Sequence, residues 1–169
     1  MLPLAHTPLL CTVRVPLPVM EVLMPGAPSM SAPDSALLFT VAWAIQPDKN
    51  GNLAEGPGNN VFFVKKGVVH TPTDAYVLPG VSRSVVIEIC RDLRIPLVEA
   101  DVSLHLAMTA DEAFFTSTSL CVCPVRSLNG VAYPADVPGP VTQRIMEAFR
   151  DMAQFDFVVA TASLRDRLW

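Results

Sequence analysis

Residues 55–83 read EGPGNNVFFVKKGVVHTPTDAYVLPGVSR, and this stretch decides how the rest of the chain is arranged. Asn60–Val64 is a short apolar run, Lys65-Lys66-Gly67 a polar turn, and Val68–His70 a return strand closed by Thr71-Pro72, the pattern of a hairpin. Leu78-Pro79-Gly80 then stops the chain. From Arg83 to Arg94 apolar residues recur at Val85, Val86, Ile89, Cys90 and Leu93, a spacing that predicts a helix. A glycine turn ending on a hydroxyl at a helix start leaves backbone N–H groups unpaired at the positive end of the macrodipole, a place suited to a phosphate. On local grounds alone, an ordinary turn capped by Ser82 is the preferred reading.

Outward from this stretch, strand and helix periods alternate. Ala36–Ile45 is a continuous apolar run, expected as a buried strand that passes through Asp48-Lys49-Asn50-Gly51 into Asn52–Glu55. Downstream, Ile95-Pro96 ends the helix and Leu97–Val102 reads as a strand. Ser103 can cap a short helix to Met108. Ala113–Thr118 and Val122–Leu128 are two further strands, and Asn129-Gly130 is a two-residue type I′ turn into Val131–Tyr133. Gly139-Pro140 opens a last helix with Val141, Ile145, Met146, Phe149 and Met152 on one face. The expected fold class is α/β, a mixed sheet with two main helices.

The ends differ from this middle. Residues 1–35 hold seven prolines (Pro3, Pro8, Pro16, Pro18, Pro25, Pro28 and Pro33), each removing a backbone donor. They are expected as an extended or disordered arm without a long helix or a central strand. Phe155–Thr161 is readable as a strand, and Ser163–Trp169, with Arg165, Asp166 and Arg167, as exposed. The expected organisation is an arm over 1–35, one domain over 36–153 and a tail over 154–169.

Composition narrows the functional classes. With 169 residues the chain can build a real core. A hydrophobic content of 51% and a mean hydropathy of +0.40 imply a well-buried sheet or a surface that meets another domain or subunit. The net charge of −4 and the absence of a basic stripe argue against a nucleic-acid partner. Cys121 and Cys123 form a lone C-x-C, which matches no zinc pattern; strand alternation puts both on one face as buried thiols. Free thiols suit a reducing, cytoplasmic setting. No stretch is long and apolar enough to predict a membrane span, and Met1–Leu10 lacks the basic start of a signal peptide.

The order of motifs changes the odds at the glycine turn. The succession EG-x-G-x-N-x-F-x-V-x-x-G-x-x-x-TP and LPG-x-S-R resembles the class IV aminotransferases, the pyridoxal-phosphate enzymes of fold type IV. That family includes branched-chain and D-amino acid aminotransferases, (R)-selective amine transaminases and aminodeoxychorismate lyase. The resemblance continues through Ala110-Asp111-Glu112, Phe115–Ser119, Pro124-Val125 and Pro138–Thr142, so it spans roughly Ala36 to Phe149. It implies the C-terminal, pseudo-barrel domain of that fold. It also implies a pyridoxal 5′-phosphate cofactor, and a reaction moving an amino group between an amino acid or amine and a 2-oxo acid. A homodimer is a further possibility, with neither nucleic acid nor membrane as partner.

Residue by residue, the resemblance implies cofactor contacts at Glu55, Leu78, Val81, Ser82, Ser117 and Thr118, and a substrate contact at Ser119. Ser82, Ser117 and Thr118 would serve the phosphate through hydroxyls and backbone N–H groups. Glu55 would hold the proton on the pyridine nitrogen; read alone, it is a solvated loop glutamate. Arg83 is expected to anchor the helix start, and Asp111-Glu112 to be structural. His70 and His105 read as a strand histidine and an exposed helical one.

One element of the family pattern is not found. The Schiff-base lysine stands a few dozen residues before the EG motif, whereas here the first lysine is Lys49, only six positions before Glu55, and the others are Lys65 and Lys66. The expectation is therefore a truncated aminotransferase chain or a non-catalytic remnant that keeps phosphate binding or pairs with a full-length relative. An unrelated phosphate-binding α/β domain ranks last, since neither G-x-G-x-x-G nor G-x-x-x-x-G-K-[ST] occurs.

Overall fold

The computed structural model describes residues 11–14 and 41–156, with the backbone alone described for 11–14 and 41–43. The described strands form one mixed sheet. In chain order they are β1 (Cys11–Arg14), β2 (Val41–Ala44), β3 (Glu55–Gly56), β4 (Asn59–Lys65), β5 (Val68–Thr71), β6 (Leu97–Glu99), β7 (Glu112–Ser117), β8 (Cys121–Leu128) and β9 (Val131–Ala132). The main path across the sheet runs β2-β1-β8-β7-β4-β5-β6, with β3 paired to β4 and β9 to β8. Helix α1 (Val81–Asp92) follows β5, the short α2 (Leu104–Met108) follows β6, and α3 (Pro140–Ala153) comes last.

The centre of the sheet is the antiparallel pair β4–β7, registered from Asn60 opposite Thr116 to Val64 opposite Glu112. Residues 61–64 (VFFV) are all buried, because both faces of the strand are covered. Alternation sends Phe62 and Val64 to one layer, with Phe114, Val86, Ile89, Ile145 and Phe149 of the neighbouring strand and helices. The rings of Phe62 and Phe114 stack there at 4.9 Å. Val61 and Phe63 face the other layer with Phe115, Ile45, Leu53, Val102 and Leu128. Isolated bridges from Leu53 to Pro47 and to Val102 join the segment after β2 to the one after β6. These bridges link the segments that follow β2 and β6, the two outermost strands of the path, and Leu53 and Val102 both belong to the second layer.

Most element boundaries fall within two residues of those expected. Asn129 and Gly130 have φ of 51° and 82° and join β8 to β9, as a type I′ turn requires. Ser103 caps α2 through its hydroxyl, which accepts from the Leu106 N–H at 3.1 Å. The Val41–Ala44 strand lies inside the expected 36–45 run, whose first residues fall outside the described ones, as do residues 157–161.

Three expectations are corrected. Residues 1–35 were expected to hold no central strand, yet Cys11–Arg14 lies inside the sheet, parallel to both β2 and β8. CTVR is free of proline between Pro8 and Pro16, so all four of its amides can join the ladder. The Leu97–Val102 strand stops at Glu99, and Val102 bridges Leu53 instead. Cys121 and Cys123 do not share a face: Cys121 has φ of 53° and packs beside the helix layer, while Cys123 lies buried in the opposite one. The left-handed residue at the start of β8 breaks the alternation.

Candidate cofactor cleft at the sheet end

β3 and β4 form a tight hairpin, with Glu55 opposite Asn60 and Gly56 opposite Asn59. Its two-residue turn is Pro57-Gly58, where Gly58 takes φ of 77°, a conformation that suits glycine. Glu55, read from the residues as a loop position, is thus fixed by a strand pair. Its Oε2 accepts from the Asn60 Nδ2 at 2.9 Å and from the Leu78 N–H at 2.9 Å. The same Asn60 Nδ2 also donates to the Leu78 carbonyl at 3.0 Å.

Leu78-Pro79-Gly80 turns tightly, with the Gly80 N–H donating to the Leu78 carbonyl at 2.8 Å. Gly80 is the N-cap of α1, and a Cβ there would overlap the Asn60 amide oxygen. Helix α1 therefore starts directly above the beginning of β4 and the end of β7. Its first turn has neither a side-chain cap nor an acidic residue. Ser82 Oγ donates to the Ser117 carbonyl at 3.2 Å, tying the helix start to β7.

Between these pieces lies a cleft of about 160 Å³. All six residues expected at the cofactor line it: Glu55, Leu78, Val81, Ser82, Ser117 and Thr118. Ser119, expected at the substrate, is exposed and stands outside the lining, with its hydroxyl 3.4 Å from that of Ser117. Gly58, Asn59, Asn60, Gly80 and Thr116 also line the cleft and were not singled out from the sequence. The signal for Asn60 was available, since it is the N of the EG-x-G-x-N pattern; Thr116 carried none beyond its place in a β-rich run.

Two observations bear on what the cleft can hold. Among the described residues of the lining Glu55 is the one ionisable side chain, and the start of α1 supplies positive potential. Asn59 Oδ1 and Thr116 Oγ1 are buried without a hydrogen-bond partner, and both residues line the cleft. Buried polar atoms are normally paired, so these two are open to a ligand's polar groups; Arg83 Nε, Tyr133 Oη and Thr142 Oγ1 are also unpartnered, outside the lining. A helix start and hydroxyls at one end, with a carboxylate at the other, fit the phosphate and ring nitrogen of pyridoxal phosphate.

Residues around the cleft are structural. Arg83 is buried, and its Nη2 donates to the Pro72 carbonyl at 2.8 Å and pairs with Glu99 at 2.7 Å, anchoring the helix start as expected. Asp111 accepts from the Lys66 N–H at 2.6 Å. His70 is half-buried in β5 and His105 exposed on α2. Burial pushes the Cys90 thiol up to about 11 and raises Cys121 and Tyr133 as well; none of the three lines the cleft. Among the described residues no cluster of His, Cys, Asp or Glu could hold a metal, and no helix is long and apolar enough to cross a membrane.

The sequence matches the amino-transferase class IV family over residues 34–128, more than half of the chain. The chain belongs to that family. It is 35% identical over 124 residues to the branched-chain-amino-acid aminotransferase of Pseudomonas aeruginosa, covering 73% of this chain and 40% of that protein. It is 40% identical over 106 residues to the Escherichia coli K12 enzyme of the same name, covering 62% and 34%. Among solved structures, the E. coli branched-chain amino acid aminotransferase superposes with a TM-score of 0.60 at 38% identity, covering 63% of this chain and 36% of that one. The Thermobaculum terrenum branched-chain amino acid aminotransferase in its PLP form gives 0.63 at 31% identity, covering 65% and 36%. The chain thus spans two fifths or less of the length of these relatives, and the mixed α/β sheet matches that part of their fold.

Proposed function

We propose that this class IV aminotransferase chain binds pyridoxal 5′-phosphate non-covalently in the cleft and does not by itself transfer amino groups. The observation that carries the reading is the convergence of Glu55, Ser82 and Thr118 on one cleft with two unpaired buried oxygens. The N–H groups of Val81 and Ser82 and the hydroxyl of Thr118 would hold the phosphate, joined by the Ser82 hydroxyl once it turns away from the Ser117 carbonyl. Leu78 and Ser117 complete the walls. Glu55 would hold the proton on the ring nitrogen, using the carboxylate oxygen that Asn60 and Leu78 leave free. When bound, pyridoxal phosphate supplies an electron-accepting ring for breaking the substrate's Cα–H bond. In the whole-protein activity the partners would be an amino acid or amine and a 2-oxo acid, with Ser119 toward the substrate.

The second clause rests on the lysines. The chain has three, and none lines the cleft. Lys65 ends β4 and donates to the Thr109 carbonyl, five residues along the strand from Asn60, or about 16 Å. Lys66 is in the β4–β5 turn, and Lys49 is exposed in the turn at Asp48–Gly51. An amine that does not reach the cleft cannot form a covalent bond with a cofactor held there. The same placement favours a second reading, a non-catalytic remnant or pseudoenzyme that binds phosphate or pairs with a full-length relative. A domain over 36–153, a homodimer and a cytoplasmic location belong to the proposal too; the last is supported by the free thiols Cys90, Cys121 and Cys123.

The test mixes purified chain with pyridoxal phosphate, follows the visible spectrum and treats the mixture with borohydride. Saturable binding displaced by inorganic phosphate, without a trapped adduct, is the expected result. No saturable binding removes the cofactor reading. A stoichiometric adduct on one lysine, with amino transfer to a 2-oxo acid, removes the non-covalent one. A lysine-bearing relative that restores transfer when added in trans selects the second reading.

A further inference from the structure

The Asn60 side chain touches both the Glu55 carboxylate and the Leu78–Gly80 turn that opens α1. Its Nδ2 donates to Glu55 Oε2 at 2.9 Å and to the Leu78 carbonyl at 3.0 Å, and Glu55 Oε2 accepts in turn from the Leu78 N–H at 2.9 Å. The amide, the carboxylate and the Leu78 backbone thus close a small hydrogen-bonded ring. On its other side the Asn60 amide oxygen fills the space where a Cβ of Gly80 would stand, so the N-cap of α1 rests on it. Asn60 is itself 6% exposed and its backbone is held opposite Thr116 in the central strand pair. One side chain therefore links the carboxylate at one end to the helix start at the other.

We propose that Asn60 is a positioning residue that links the Glu55 carboxylate to the start of α1 so that the two are ordered together, and an anion at the helix start and a pyridine ring at Glu55 bind cooperatively. The inference rests on the cofactor reading above. The strand pairs hold the backbone at residues 55 and 60, so what a ligand orders is the Glu55 and Asn60 side chains and the Leu78–Gly80 turn; an anion at the start of α1 orders them from one end and a ring at Glu55 from the other. The ordering cost is borne by whichever ligand binds first, which is positive coupling. By linkage, each ligand must raise the other's affinity by the same factor.

The experiment splits the cofactor into two probes, inorganic phosphate and pyridoxine, and measures the affinity of each alone and in the presence of the other. In the unsubstituted chain phosphate should raise pyridoxine affinity roughly fivefold or more, and pyridoxine should raise phosphate affinity equally. In Asn60→Ala that factor should fall to one while phosphate alone still binds. Gly80→Ala, which displaces the Asn60 amide and leaves residue 60 intact, should do the same if Asn60→Ala fails to fold. Thermal melting of each variant identifies the folded ones. Phosphate and pyridoxine binding independently in the unsubstituted chain, or an unchanged factor in a folded variant, overturns the positioning role and leaves the cofactor reading standing. Binding of neither probe nor of pyridoxal phosphate to the unsubstituted chain overturns both.

Discussion

Helices α1 and α3 begin alike and end up with different tasks. Both have a glycine N-cap, Gly80 and Gly139, no side-chain cap and no acidic residue in the first turn. Both rest on β7, yet at opposite ends of it. At the start of β7 the buried Glu112 carboxylate accepts from the Val141 and Thr142 N–H groups at 3.1 and 2.8 Å, closing the start of α3 from within. A Cβ on Gly139 would overlap that carboxylate, so glycine is what lets it in. At the end of β7 stand Thr116, Ser117 and Thr118, with hydroxyls and no carboxylate, and the start of α1 is left facing the cleft. A helix start satisfied by its own chain is a structural joint; one supplied with donors and no anion is suited to an anion from outside.

The comparison can be broken at either helix. Replacing Glu112 with Ala should cost the most, about 3 kcal/mol in urea unfolding, because one buried and one part-buried N–H group lose a charged acceptor. Ser82→Ala at the other helix should cost less than about 1 kcal/mol. Equal losses would mean that α1 is as much a structural joint as α3. Giving α1 its own anion is the converse test. Ser82→Asp should lower phosphate and pyridoxal phosphate affinity on the order of tenfold or more, while stabilising the free chain by about 0.5 kcal/mol in the same unfolding assay. Unchanged affinity would show that the anion binds elsewhere.

A smaller effect sharpens the two ends of the cleft. Glu55→Gln should weaken pyridoxal phosphate on the order of tenfold, the loss of one charged hydrogen bond, and leave inorganic phosphate binding within twofold. Titrations of both ligands on the same protein preparation decide it. The smallest expected effect is none: Lys49→Ala, Lys65→Ala and Lys66→Ala should each bind pyridoxal phosphate as the unsubstituted chain does. A large loss in any of them would place a lysine at the cleft.

How much of this was legible beforehand differs between fold and site. Strand and helix positions were readable because β4 and α1 carry clear periods and Asn129-Gly130 fixes its own turn. The closed start of α3 was half legible: Asp111-Glu112 was expected to be structural, but residue 112 meets residues 141 and 142 only through the fold. Glu55, Ser82 and Thr118 were legible as a set through the order of motifs, each being unremarkable alone. Thr116 and Asn59 were not, since a threonine in a β-rich run and an asparagine at a strand start look ordinary until burial leaves their oxygens unpaired. The misjudged alternation at Cys121 had a local cause, one left-handed residue, which no period reports.

Strand β1 sets an order of assembly. Its partners are Val41–Ala44 on one side and, on the other, Val125–Leu128, more than a hundred residues later in the chain. It leaves the ribosome long before β8 and cannot find its inner neighbour until β8 has been made. Ordering the chain over so long a loop is slow, whereas the β4–β5 and β8–β9 hairpins close locally. The sheet should therefore grow outward from β4 and β7, with β1 joining late. During synthesis, the unpaired edge of β8 is the face most open to a strand from another chain.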